Sequence, residues 1–257
     1  MTVFERLPAW RQARATQVRA GLTLGFVPTM GALHDGHVSL VRRSQAENDC
    51  TLVSIFVNPA QFEDATDFAK YPRTLDGDLR ILQGEGVDYV LAPSESDLYP
   101  DGFRYRVTEI ERSKGLEGAH RPGHFDGVLT VVLKLLQIAS AERAYFGEKD
   151  WQQLNLVRGL VEAFFLPTSI VACQTIREAD GLALSSRNRR LGSKDRERAS
   201  QFYRILSVAL TADAASHELR EAGFIVDYVT DCQGRRLGAV RLGDVRLIDN
   251  VPLGETR

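Results

Sequence analysis

Short apolar runs alternate along most of this chain with segments of helical periodicity, and that alternation restricts the fold more than any other feature. Runs at 22–27, 51–57, 87–91, 143–146 and 168–172 have the length of strands. The segments 36–47, 75–83, 127–140 and 150–165 between them place apolar residues at helical spacing. An opening helix through Leu7, Trp10 and Val18 ends near Gly21. Strands that alternate with helices build βαβ units. The expected fold is therefore α/β, a parallel sheet flanked by helices. In such sheets ligands bind beyond the carboxyl ends of the strands, where strand order switches. The chemistry is expected in the turns after the strands.

From about residue 177 the pattern changes to a polar loop, a helix over 195–214 and short strands such as 224–230. With 257 residues and about 150 per domain, the chain reads as a larger domain, 1–175, and a smaller α+β domain, 176–257. Thirty-two basic against 34 acidic side chains give −2, and residues 177–257 hold 14 basic and 12 acidic. Neither part has the positive field that phosphate neutralisation demands, so no nucleic-acid partner is expected. Cysteines 50, 173 and 232 form no ligand or disulfide spacing. The N-terminal residues carry charge where a secretory signal is apolar. The most apolar stretch, 128–136, is interrupted by Lys134 and is far below the ~20 residues of a membrane span. A cytoplasmic setting is expected.

Six segments could carry chemistry. After the first strand comes Pro28-Thr29-Met30-Gly31-Ala32-Leu33-His34-Asp35-Gly36-His37. Its glycines let backbone approach a ligand, and the following helix offers N–H groups and a positive dipole end to an anion. His34 and His37 could bond phosphates there, or one could simply cap the helix. After the second strand, Asn58 and Gln61 could orient a hydroxyl or carboxylate, although Asn-Pro also starts turns. Thr74 reads as an N-cap with Asp76 and Asp78 as first-turn acids, and Asp78 is alternatively a magnesium contact. Arg121, stiffened by Pro122, could clamp a phosphate, while His124 reads equally as a packing or capping residue. In Phe146-Gly147-Glu148-Lys149-Asp150, one of only five lysines stands where it opposes a helix dipole, which favours an anionic ligand for Lys149. Asp150 and Gln153 are expected on one face of the next helix. Finally, Ser185, Ser186 and Arg187 could fold over a triphosphate or belong to a solvated basic linker.

Taken in order and spacing, PTMGALHDGH, FVNPAQF, YPRTLDGDL, RPGHF, FGEKDWQQL, READGLALSSRN and VRLIDN resemble the pantoate–β-alanine ligase family of the HxGH nucleotidyltransferase superfamily. The resemblance implies a Rossmann-like first domain and a smaller C-terminal lid domain. It implies ATP-dependent joining of pantoate to β-alanine through pantoyl adenylate, with ATP as substrate, Mg2+ as cofactor, and a homodimer. His34-x-Gly36-His37 is similar to the HxGH motif, and Ser185-Ser186-Arg187 to the KMSKS-like loop. By that likeness His34, His37, Lys149 and Arg187 are catalytic. ATP would be bound by these and by Met30, Gly31, Gly36, Gly147, Glu148, Asp150, Ile176, Leu184, Ser185 and Ser186. Met30, Asn58, Gln61, Arg121 and Gln153 would hold pantoate and β-alanine, with Asp78 and Asp150 at the metal. Gly77, Asp126 and Gln174-Thr175 depart from the family pattern, and the stretch after residue 200 reads as short for it. A different HxGH nucleotidyltransferase, or a non-catalytic ATP-binding relative, are the competing readings.

Overall fold

A single parallel sheet organises the first part of the chain in the computed structural model, which describes residues 1–63 and 65–254. Its strands are β1 (Thr2–Phe4), β2 (Leu24–Thr29), β3 (Cys50–Ile55), β4 (Tyr89–Leu91), β5 (Arg143–Gly147) and β6 (Ser169–Cys173), in the order β1-β4-β3-β2-β5-β6. All pairs are parallel. Helices α1 (Leu7–Arg19), α2 (Asp35–Glu47), α3 (Ala65–Lys70), α4 (Leu75–Gly84), α5 (Glu95–Leu98), α6 (Glu117–His120), α7 (His124–Ala139) and α8 (Trp151–Ala163) connect them. Val27, Val53, Leu82, Val90 and Tyr145 are among the residues that form the core.

After β1, which ends on one edge, the sheet grows outward from β2: through β3 and β4 on one side, then β5 and β6 on the other. Strand order therefore switches between β2 and β5. Their pairing ends at Phe26–Ala144, whereas β2 continues against β3 as far as Thr29. Pro28 lies beyond the last rung with β5, so its missing N–H removes no hydrogen bond on that side.

The chain divides into two units. One comprises Met1–Gly147 and Gln152–Cys173, the other Glu148–Trp151 and the chain from Gln174 onward. The second unit contains an antiparallel sheet, β7 (Ile225–Cys232), β8 (Arg235–Leu242) and β9 (Val245–Pro252), with helices α9 (Ser193–Val208) and α10 (Ala212–Glu221). Phe202, Leu206, Leu219 and Val240 belong to its core.

Two expectations are corrected and one strand is added. The helix expected over 195–214 is two helices. The buried Arg236 donates to the carbonyls of Leu206, Ala209 and Leu210 and so closes the end of α9. Thr211 then starts α10 by accepting the N–H of Ala214 at 3.1 Å. The first central strand is Leu24–Thr29 rather than 22–27. β1, too short to stand out as a periodic run, pairs with β4 through Thr2–Tyr89, Val3–Val90 and Phe4–Leu91.

Candidate active site

The loop after β2 is shaped by one buried carboxylate. Gly31 and Ala32 both adopt positive φ, 76° and 50°, which turns the N–H groups of Ala32 and Leu33 toward Asp78. Asp78 Oδ2 accepts from Ala32 at 3.0 Å and Oδ1 from Leu33 at 2.8 Å. The Thr74 hydroxyl adds a third bond at 3.1 Å. A Cβ on Gly31 would sit 2.9 Å from Asp78 Oδ2. One expectation changes here. Thr74 occupies the N-cap position of α4, but its hydroxyl donates to Asp78 instead of capping backbone. Asp78, 2% exposed, is bonded to the loop through both carboxylate oxygens.

Past this bend, His34 is the N-cap of α2, its Nδ1 accepting the N–H of Gly36 at 3.1 Å. An Nδ1 that accepts carries no proton, so the neutral ring holds its hydrogen on Nε2. The His37 ring lies 4.1 Å from that of His34. The capping reading holds for His34: one ring nitrogen caps the helix and sets the tautomer of the other.

After β3, Asn58 is 1% exposed and its carboxamide is occupied by protein. Oδ1 accepts from Ala60 N at 3.3 Å and the Tyr99 hydroxyl at 2.8 Å. Nδ2 donates to Gln61 Oε1 and Gly127 O, each at 3.1 Å. Burial pushes the Tyr99 hydroxyl pKa well up, which keeps it a donor. Asn58, expected to touch substrate, is bonded to Gln61 and to the backbone of Gly127 through its amide nitrogen. Gln61 is half-buried and donates to Met30 Sδ at 3.0 Å. His124 Nδ1 lies 2.8 Å from the carbonyl of Gln61 and its Nε2 3.0 Å from Arg121. A carbonyl only accepts and a guanidinium only donates, so these two contacts select the neutral ring with hydrogen on Nδ1. Arg121, His124, Gln61 and Met30 therefore form one connected set. It rests on Gly127, where a Cβ would fall 2.1 Å from Ala60 O. Gln153, half-buried, lies on α8.

In the second unit, Glu148–Asp150 is a 3-10 turn that runs directly into α8. Lys149 Nζ lies 4.0 Å from Asp150 Oδ1, and Glu148 pairs with Arg235 at 3.4 Å. Residues 176–184 form a small hairpin: Leu184 N–H donates to Ile176 O, and Glu178 N–H to Leu182 O. Arg196 braces it through Glu178 and Asp180, both at 2.6 Å, and holds the Asp180 pKa down. The hairpin delivers Ser185 as the N-cap of a 3-10 turn, Ser186–Arg190, its hydroxyl accepting Arg187 N–H at 3.2 Å. Residues 185–187 are half-buried and internally bonded, unlike a solvated linker. Ile176 is more exposed than Leu184.

The pattern of the site and the fold can be set against known proteins. A family model described as pantoate-beta-alanine ligase matches residues 2–252. The chain belongs to the pantoate–β-alanine ligase family. It is 51% identical to the pantothenate synthetase of Bdellovibrio bacteriovorus, covering 95% of both chains. It is 49% identical to that of Coxiella burnetii, covering 99% of this chain and 98% of the relative. A crystal structure of pantoate-beta-alanine ligase from Francisella tularensis, complexed with beta-gamma ATP and beta-alanine, superposes with a TM-score of 0.93 at 43% identity over 98% of this chain and 97% of that one. The pantothenate synthetase from Thermus thermophilus gives 0.88 at 40% identity, over 98% and 99%. These ligases are matched almost whole, so the short stretch after residue 200 is shared with them.

Within this ligase fold, several residues that shape the site carry no local sequence signal. Tyr99 bonds Asn58 across 41 positions. Gln152 holds residues 112–117 by accepting Glu117 N–H at 3.0 Å and donating to the carbonyls of Arg112 and Gly115. Gly127 could have been suspected, as a glycine inside a strongly apolar helix. Among the described residues, no three His, Cys, Asp or Glu side chains gather as a metal cage, and no helix is long and apolar enough to cross a membrane.

Proposed function

We propose that this enzyme condenses (R)-pantoate with β-alanine at the expense of ATP, giving pantothenate, AMP and pyrophosphate. The observation that carries this reading is the nearly full-length likeness to a ligase whose crystal structure holds an ATP compound and β-alanine together. In the first step a pantoate carboxylate oxygen attacks the α-phosphorus, and the bond to pyrophosphate breaks. In the second the β-alanine amine attacks the acyl carbon, loses a proton, and AMP leaves with the bond's electron pair.

The residues suit this chemistry. Joining two anions requires negative charge to be neutralised and the reactants to be aligned, with little covalent help. His34, its hydrogen placed on Nε2 by the cap, and His37 are assigned to the phosphates. Lys149, Ser185, Ser186 and Arg187 are assigned there as well. Met30, Gly31, Gly36, Gly147, Glu148, Ile176 and Leu184 are assigned to the nucleotide. Gln61 and Gln153 orient pantoate by neutral hydrogen bonds against Met30, with Asn58 behind Gln61, and Arg121 takes a carboxylate.

Magnesium ordinarily keeps few protein ligands and binds through phosphates. A lone, half-exposed Asp150 beside Lys149 fits that habit: bound with ATP, the ion would neutralise charge on departing pyrophosphate. A homodimer and a cytoplasmic location complete the reading by family likeness, and exposed Tyr105 and Ile110, at 76% and 82%, suit the homodimer.

Pantoate-dependent exchange of pyrophosphate into ATP, followed by β-alanine-dependent release of pantothenate, tests the assignment. Exchange that ignores pantoate, or transfer of AMP to a phosphorylated acceptor instead, would overturn it.

A further inference from the structure

Beyond the residues assigned to ATP, the second unit contains a buried Asp-Asn pair on β9 whose side chains bond two of the segments assigned above to the phosphates. Asn250 is 1% exposed and Asp249 3%. The Asn250 carboxamide uses both of its hydrogens on one turn: Nδ2 donates to Glu148 O at 2.8 Å and to Lys149 O at 3.0 Å. Its Oδ1 accepts from Arg235 Nε at 2.6 Å. Arg235 in turn pairs with Glu148 and lies 4.5 Å over the Trp151 ring. The turn 148–151 is thus bonded at two consecutive carbonyls by a residue about a hundred positions away. Asp249 does the equivalent for the hairpin before Ser185. Its two oxygens accept from Arg177 Nη1 at 2.6 Å and Nη2 at 3.0 Å, while Oδ1 also accepts the N–H of Asn250 at 2.7 Å.

A 3-10 turn of three residues has little rigidity of its own, because its hydrogen bonds are few and poorly aligned. What holds Lys149 in one place must come from outside the turn. We propose that Asn250 is a positioning residue for the reaction: by binding the carbonyls of Glu148 and Lys149 it sets where the Lys149 ammonium meets the phosphates. The role rests on the assignment of Lys149 to ATP made above. The residue type is selective. Two carbonyls facing one side chain need two donors, and the guanidinium on the other side needs an acceptor; a neutral amide supplies both. Aspartate, of the same shape, would keep the bond to Arg235 and place negative charge against both carbonyls.

The test compares pyrophosphate–ATP exchange in wild type, Asn250→Asp, Lys149→Ala and the double variant. A misplacement of about 1 Å is worth on the order of a hundredfold, so Asn250→Asp should lower kcat about 10- to 100-fold with the KM for pantoate little changed. In the Lys149→Ala background the same substitution should produce almost no further loss, since residues acting as one unit are strongly non-additive. An equal loss in both backgrounds would make Asn250 merely structural and overturn the proposal. If Asn250→Asp does not fold, Asn250→Ser, which keeps one donor, is read by the same cycle with a smaller loss expected. Hydrogen exchange of the backbone amides of 149–151 supplies a readout independent of activity. These amides should lose protection in the variant while those of β8 keep theirs, and a uniform loss would overturn the proposal. A wild type with no pantoate-dependent exchange would sink the proposed function, whereas the exchange pattern of these amides would still judge Asn250.

Discussion

Asp78 Oδ1 accepts the backbone N–H of Leu33 across 45 residues of sequence, and this bond ties α4 to the loop that presents His34. With the second bond to Ala32 N–H, the carboxylate holds two consecutive amides in a bend that positive φ alone would leave costly. Asp78→Ala should therefore lower stability by about 2–4 kcal/mol, the scale for orphaning buried, charge-assisted hydrogen bonds. Urea denaturation measures this. A variant as stable as wild type but with a weakened magnesium requirement would assign Asp78 to the metal instead.

Asn58 and Gln61 are three residues apart and should behave differently. Asn58→Ala leaves the Tyr99 hydroxyl and the Gly127 carbonyl without their buried partner, a loss of about 1–3 kcal/mol in stability. Gln61→Ala should leave stability nearly intact and raise the KM for pantoate roughly ten- to a hundredfold, with ATP affinity by calorimetry unchanged. If ATP affinity falls equally, Gln61 serves the turn rather than the substrate.

Gly127→Ala should be among the most damaging single-methyl changes, because the new Cβ would meet Ala60 O at 2.1 Å and Gln61 N at 2.6 Å, both backbone. Neither neighbour is a flexible side-chain end, so α7 and the 59–61 turn must move apart. Thermal melts should show a loss of about 1–3 kcal/mol, and kinetics a pantoate defect larger than the ATP defect.

Lys149 precedes α8, where its charge opposes the helix dipole by a few tenths of a kcal/mol. Lys149→Ala should leave the Tm of the ligand-free enzyme equal or slightly higher while removing at least ~10²-fold in turnover. Calorimetry beside the exchange assay decides it. Stability and activity falling in proportion would make the lysine structural.

The brace around Arg196 supplies a pH dependence. Its hydrogen bond to Asp180 holds that carboxyl below its ordinary value, which is about 3.9 in an unfolded chain. The folded chain keeps this charge to lower pH than the unfolded chain, so the brace contributes above about pH 4 and is lost as pH falls through the depressed value. The pair is partly exposed, so the effect is below about 1 kcal/mol. The difference in Tm between wild type and Arg196→Ala should stay level from about pH 5 to 8 and shrink below about pH 4.

What the sequence determined by itself was whatever local preference governs. Strand–helix alternation specified a parallel α/β sheet, and the glycine-histidine segment after β2 specified a tight bend running into a capped helix. Such features follow from backbone propensity, periodicity and dipole position within a few residues, and the ordered set of motifs was enough to indicate the family. Tertiary structure decided which polar side chains stay available to a ligand. Asp78 and Asn58 have site-like chemistry in site-like segments, yet both are buried and bonded to backbone, because buried carboxylates and amides require partners that neighbouring sequence cannot supply. Arg236 broke an unbroken helical pattern by binding carbonyls 26–30 positions away. The turn bearing Lys149 was assigned to the second unit by Asn250, about a hundred residues downstream. Periodicity cannot carry that information, since a hydrogen bond of this span depends only on where two distant segments meet once the core has formed.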